Sequence, residues 1–347
     1  MSSASGVREA AGTTRLKASA ARRALVACGG VLAVLAVLDL AIRVYLGNVS
    51  LSPGIFRAAD TVPGYELKPF TDETVRLGGR ETHIRINGEG HRVTTGAESG
   101  SSAPAATVHL IGDSQVFGWG LDDSESIASQ LQARLGREAR VLNHGVPGTG
   151  PLDYSRAAAA LPRTDWVVIA LTDENDLWDA YGVLAGRRVR CGYLALNAAL
   201  GARLPCWAMR SRLVQLVMVG FDGWQRRFRP TPLQYNPHSA VAAGVLMYRV
   251  GQETRKWRAA FGDHLIITYV PWVSLYDSEQ ARRYFPRPSE YRPTVRFPDD
   301  CDIARAFEAH RGARPLYLAG DAHLSAFGAS VMADAMAAAL KRRMSAP

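Results

Sequence analysis

Apolar positions follow three different rhythms along the chain. Residues 24–42, ALVACGGVLAVLAVLDLAI, are apolar throughout except for one charge, Asp39. About 20 such residues in a helix span a bilayer. Arg22-Arg23 sit directly before the run, and a basic flank stays on the cytoplasmic side. The pattern predicts a basic tail over 1–23, one signal-anchor helix over 24–44, and export of the remainder. A cleaved signal peptide is the alternative, although no clear small-x-small site precedes Arg43 and Tyr45. Cys28 stands before most of the apolar run, which excludes a lipoprotein box.

The second rhythm is alternation. Thr82-His83-Ile84-Arg85-Ile86-Asn87 followed by Gly88-Glu89-Gly90 predicts a strand and a turn. It lies in a stretch, 45–106, read as linker and small β lead-in: residues 46–62 look like linker and 96–106 like a flexible small-residue loop. From 107 the third rhythm begins. Short apolar runs at 108–111, 140–142, 166–171 and 265–269 alternate with helical periodicity at 127–135, 154–161, 240–260 and 325–342. Continuous apolar strands between helices indicate a parallel sheet covered on both faces. Residues 177–238 interrupt the alternation as an insertion.

Composition adds limits. Hydrophobic residues at 47% and charged residues at 21% describe a globular chain. The net charge of +9 is concentrated: the tail has five Lys/Arg against Glu9, and residues 203–229 have six Arg against Asp222, which accounts for the whole excess. A dispersed basic face for nucleic acid is therefore not expected. Four cysteines without a CxxC pair exclude a zinc ribbon or thioredoxin site. Cys191 and Cys206 either pair in an oxidising compartment or remain thiols, with Cys301 free and buried. No metal-ligand spacing occurs, and neither metal nor cofactor is expected.

Chemistry collects at the predicted strand ends, where open α/β sheets carry their sites. The first strand ends in Gly112-Asp113-Ser114-Gln115, then Phe117-Gly118-Trp119-Gly120. The second ends in Asn143-His144-Gly145-Val146-Pro147-Gly148. The third ends in Thr172-Asp173-Glu174-Asn175-Asp176. Gly320-Asp321-Ala322-His323 precedes the last helix. In this order over 107–343, the four blocks resemble the SGNH (GDSL-type) serine hydrolase superfamily. Ile86-Asn87-Gly88-Glu89-Gly90-His91-Arg92 looks like the lead-in of its membrane-anchored bacterial members. The resemblance implies a flavodoxin-like three-layer α/β/α fold with a parallel sheet. It implies Ser114 as nucleophile, His323 as base and Asp321 as its orienting acid. It also implies an oxyanion hole from the Ser114 and Gly145 amides and the Asn175 side chain.

Three positions depart from the family pattern. Gln115 replaces Leu as a helix-start contact, and Asp173 replaces a Gly near the oxyanion hole. Asp321 and His323 are one residue apart rather than two, which makes the reach of Asp321 the point to examine. His109 is read as a satisfied strand residue, His144 as a hydrogen-bonded loop residue with a pocket-lining role as the alternative, and Asp122-Asp123 as a solvated turn before a cap at Ser124. The insertion, with Trp207, Trp224, Phe221, Phe228 and interspersed Arg, is read as a lid helix packed on the domain, with a membrane-surface role as the alternative.

The combined expectation is an exported, inner-membrane-anchored serine esterase with a periplasmic domain. It removes or transfers O-acyl groups on envelope or secreted glycans through an acyl-Ser114 intermediate. A lipolytic enzyme and a non-catalytic glycan-binding protein are the rival readings. The partners expected are an acyl ester substrate and the membrane; nothing in the sequence sets the oligomeric state.

Overall fold

A computed structural model describes residues 5–46, 54–59, 65–77, 80–97, 105–172, 176, 188–190, 193–195, 208, 210–218, 240–271, 273–276, 298–319 and 321–345. The apolar run lies in a long helix, α1 (Ser5–Leu46). Its segment Arg22–Tyr45 is long and apolar enough to cross a membrane, and none of it is buried in the protein. The helix therefore continues well to the N-terminal side of the expected 24–44.

The lead-in holds more strand than alternation alone revealed. β1 (Phe56–Ala58) pairs with β2 (Tyr65–Leu67), and β3 (Thr71–Leu77) pairs with β4 (Arg80–Ile86), both antiparallel. The expected linker thus contains β1. Phe56, Tyr65, Leu67, Val75, Ile84 and Ile86 form a small core that closes on Phe117.

The larger unit is a four-stranded parallel sheet in the order β10-β7-β5-β6. Its strands are β5 (Thr107–Gly112), β6 (Arg140–Gly145), β7 (Trp166–Thr172) and β10 (Leu265–Val270); the short hairpin β8 (Arg188–Arg190) with β9 (Tyr193–Ala195) lies in the insertion. β7 is buried at all seven positions, as the unbroken run Trp166–Leu171 predicts. Val168 and Ala170 face one core, and Val167, Ile169 and Leu171 face the other.

Helices cover both faces. α3 (Ile127–Leu135) and the C-terminal helix α9 (Ala326–Met344) pack on the first, with α8 (Ile303–Ala309) beside them. α4 (Pro151–Ala159) and α6 (Ala240–Phe261) pack on the second, through Tyr154, Ala158, Val250, Trp257 and Phe261. The fold is the expected three-layer α/β/α arrangement. α3 is capped by the Ser126 side chain, which accepts from Ser129 N, and not by Ser124. Between β10 and α8 lies the short α7 (Val273–Tyr276), and Cys301 is free and buried, its thiol pushed up to about 12 by burial. Cys191 and Cys206 lie outside the described residues.

A ladder of imidazoles ties strands together. His109 on β5 donates from Nε2 to Asp165 Oδ2 at 3.0 Å, which leaves its Nδ1 to accept from His144 Nε2 at 2.9 Å. His144 is a β6 residue, and the His91 ring lies over it with centroids 4.0 Å apart. Burial first, and then the charges of His91 and His109, hold His144 well below its ordinary value of 6.5. Folded protein therefore binds fewer protons here than unfolded chain once the pH drops below 6.5, and stability falls in that direction. Denaturant midpoints measured on the wild type decline as pH is lowered from neutral through this range. In His144→Gln the decline is shallower; an identical slope contradicts the assignment.

Candidate active site

Ser114 opens α2 (Ser114–Phe117), a helix of one turn set at the end of β5. Asp113 is its N-cap: the fully buried carboxylate accepts from Gln115 N at 2.8 Å and from Thr172 Oγ1 at 2.9 Å. The first α2 amide, Ser114 N–H, has no acceptor among the described residues, as expected for the start of a helix.

The strand ends must approach α2 closely, and two glycines allow it. A Cβ on Gly112 would lie 2.3 Å from Val116 Cγ2 and 2.9 Å from Ala170 O. A Cβ on Gly145 would lie 2.2 Å from Phe117 N. The carbonyls of the turn are then met one by one. Ser114 O accepts from Gly118 N and Trp119 N, and Val116 O accepts from Asn143 Nδ2 at 3.1 Å. Phe117 O and Gly118 O accept from Arg92 Nη1 at 2.8 and 2.5 Å.

Arg92 is 1% exposed. Its Nη2 donates to Leu121 O at 2.5 Å and its Nε to Asp123 Oδ1 at 3.1 Å. Its backbone bridges Ile86 and Asn143, so it links the lead-in to the free edge of β6. Asp123 is buried and paired with Arg92 and with Arg85 Nε at 2.7 Å. The expected solvated turn at Asp122-Asp123 is thus a buried ion pair at the second residue.

His323 meets Ser114 from the opposite end of the chain. Its Nε2 lies 2.9 Å from Ser114 Oγ, and its Nδ1 lies 2.5 Å from Asp321 Oδ1. The same Asp321 oxygen accepts the His323 backbone N–H at 3.1 Å. A one-residue gap therefore suffices, because the carboxylate folds back over its own turn in the manner of an Asx-turn. The carboxylate can only accept, which assigns the proton to Nδ1 and leaves Nε2 to accept from the Ser114 hydroxyl. The Trp119 ring stands 6.2 Å from the His323 ring.

Gln115, read from sequence as a helix-start contact, does more. Its Nε2 donates to Ala322 O and its Oε1 accepts from Leu324 N, each at 3.0 Å, so one amide clamps both neighbours of His323. Only the residue type adjoining Ser114 was visible in the sequence; the partner lies over 200 residues away.

The remaining site residues divide. The Gly145 N–H, expected as an oxyanion donor, donates to Asn143 Oδ1 at 2.9 Å, and the missing Cβ allows the close approach to Phe117. Further along the loop, Val146 N–H goes to Gly112 O and Pro147 has no N–H. Gly148, at φ +77°, has its carbonyl accepting from Tyr65 Oη at 3.0 Å. Asn175 and Asp173 lie outside the described residues. Asp176, which follows Asn175 in the sequence, is buried and accepts from Thr172 N at 2.7 Å and Tyr154 Oη at 2.8 Å. Among the described residues no group of His, Cys, Asp and Glu is disposed to hold a metal.

No family profile matches the chain, and no curated protein matches it. Solved structures align with it distantly. TesA is 17% identical, with 68% of this chain and 99% of that one covered and a TM-score of 0.32. The lipase Lip_vut3 from a goat rumen metagenome is 13% identical over 67% and 97%, with a TM-score of 0.35. A carbohydrate acetylesterase family member from Sinorhizobium meliloti is 13% identical over 70% and 100%, with a TM-score of 0.31. Likeness this remote bears on neither activity nor substrate, which leave the residues themselves to speak for the site.

Removing Arg92 leaves Asp123 short of its buried partner and several carbonyls without a donor. Arg92→Met destabilises the detergent-solubilised full chain by about 3–5 kcal/mol in denaturant titrations, and Arg92→Lys, lacking the planar fork, recovers little of it. A loss below about 1 kcal/mol contradicts this account of α2.

Proposed function

We propose that the chain is an SGNH-type serine esterase anchored in a bacterial inner membrane, with its domain on the outer side. The observation that carries the reading is the hydrogen-bonded series Ser114 Oγ, His323 Nε2 and Nδ1, Asp321 Oδ1, at 2.9 and 2.5 Å. A serine hydroxyl is a weak nucleophile until an adjacent imidazole takes its proton.

In the first step Ser114 Oγ attacks the ester carbonyl while its proton moves to His323 Nε2. The Asp321 carboxylate stabilises the imidazolium and keeps its orientation. The tetrahedral oxyanion is met by the Ser114 N–H, with the Gly145 N–H, shared with Asn143 Oδ1, and the Asn175 side chain as further donors. Each such donor is worth about 2.7–4 kcal/mol. His323 then returns the proton to the leaving alcohol, giving acyl-Ser114. Water releases the acyl group as acid, or a sugar hydroxyl carries it away as a new ester. Both routes use His323 a second time as base.

The substrate side of the proposal is an O-acetylated glycan of the envelope. It is supported by the candidate span at Arg22–Tyr45 and by its basic flank, the pattern of a domain held outside the membrane.

The test compares nitrophenyl esters from acetate to palmitate with the full chain in detergent. The account expects acetate to be preferred, with Ser114→Ala lowering turnover by at least about 10³-fold. A Ser114-dependent preference for long chains transfers the reading to lipids. Turnover that survives Ser114→Ala, or none on any ester or acceptor sugar, overturns the esterase.

A further inference from the structure

Asp39 is the sole charge within the apolar run, and an isolated carboxylate in a bilayer is costly and seldom without a purpose. Here it accepts from three donors. Arg43 Nε, one turn further along α1, lies 2.7 Å away. The other two come from the insertion: Ser211 Oγ at 2.8 Å and Leu213 N at 3.0 Å. Arg43 Nη2 continues to Arg210 O at 2.6 Å. Ser211 stands immediately before α5, residues 212–218, and its Oγ accepts from Val214 N at 3.2 Å. Asp39 thus caps the start of α5 from another element, supplying an acceptor to a first-turn amide.

The depth of this junction follows from helix geometry. Asp39 lies six residues before Tyr45, the end of the candidate span, which is about 9 Å along the axis at 1.5 Å per residue. A span of 24 residues is only slightly longer than the hydrocarbon thickness. Asp39 therefore sits inside the outer boundary of the acyl region, and whatever caps it must reach that level.

The surface of α5 fits that position. Gln215 is buried, whereas Leu216 and Val217 are 48% and 58% exposed. On the same stretch of α1, Leu35, Leu38 and Leu40 are also exposed. Arg210, exposed at the start of α5, supplies a cation for headgroup phosphates.

We propose that α5 is an interfacial helix: seated on Asp39, it lies in the outer leaflet of the bilayer that holds α1, with Leu216 and Val217 among the acyl chains. The ligand is phospholipid bilayer, and the surface is continuous with the span. This rests on α1 crossing a membrane, so the test reports on both. It replaces the expectation of a lid packed only on the domain, at least for residues 210–218.

The experiment places the photocrosslinker p-benzoylphenylalanine at one position at a time in the full chain, reconstituted in phosphatidylcholine–phosphatidylglycerol vesicles with radiolabelled lipid. Leu32 reports on the span and Glu308, a charged exposed position on α8, on the domain surface. The expected result is a lipid adduct at Leu32 and at Leu216, the latter at least about tenfold above Glu308. In Asp39→Leu, which keeps the span apolar, the Leu216 adduct falls several-fold while that at Leu32 persists. Adduct at Leu32 with none above the Glu308 level at Leu216 overturns the proposal alone. No adduct at Leu32 rejects the span and the proposal together. A Leu216 adduct unchanged by Asp39→Leu overturns the role of Asp39 as its seat.

Discussion

A helix of four residues has no stability of its own, since a single turn fixes several dihedrals for almost no internal hydrogen bonds. α2 persists because its polar groups are answered from outside. Asp113 meets the start, Asn143 meets Val116 O, and Arg92 meets Phe117 O and Gly118 O. The glycines at 112 and 145 let the supporting strands come near enough to do so. The direction of Ser114 Oγ is a consequence of this scaffold, and so is the 2.9 Å distance to His323.

The lead-in belongs to the same construction. Its core closes on Phe117, and Arg92, which follows its β4 and turn, delivers a buried guanidinium to the carbonyl end of α2. A buried Arg–Asp pair is a poor device for stability, since replacing it with apolar groups is often neutral. Its value lies in the directional fork, which takes the carbonyls of Phe117, Gly118 and Leu121 and one carboxylate in fixed positions. Gln115 acts similarly on the other side, joining the helix to both residues that flank His323. Ser114 and His323 are thus registered to one another by polar contacts beyond their own hydrogen bond.

Much of this was legible in the sequence, and the remainder was hidden for definite reasons. Parallel strands appeared as continuous apolar runs because both faces are buried, and β7 is the clearest case. Ser114, at the end of the first strand, and Asp321 and His323, in the block before the last helix, were singled out through the family resemblance, and the structure brings the three side chains together. Asp123 was misread because a carboxylate in a turn looks solvated unless its partner is known, and Arg92 is 31 residues away. Gly145 was read for its N–H; its second purpose, a missing Cβ beside Phe117, shows only in the packing. β1 and β2, at three residues each, are too short for alternation to register. Asp39 read as a blemish in an apolar run, since its partners at Ser211 and Leu213 lie in the insertion.

The central claim is that His323, aligned by Asp321, activates the Ser114 hydroxyl. Its most direct measurement is the rate at which a fluorophosphonate labels the full chain, with the modified residue mapped by peptide mass spectrometry. The account predicts a single adduct on Ser114, formed about 10³–10⁴-fold more slowly in Asp321→Asn, where the imidazole is left in the wrong tautomer. Labelling at another residue, or at Ser114 with equal rates in wild type, Asp321→Asn and His323→Ala, contradicts it.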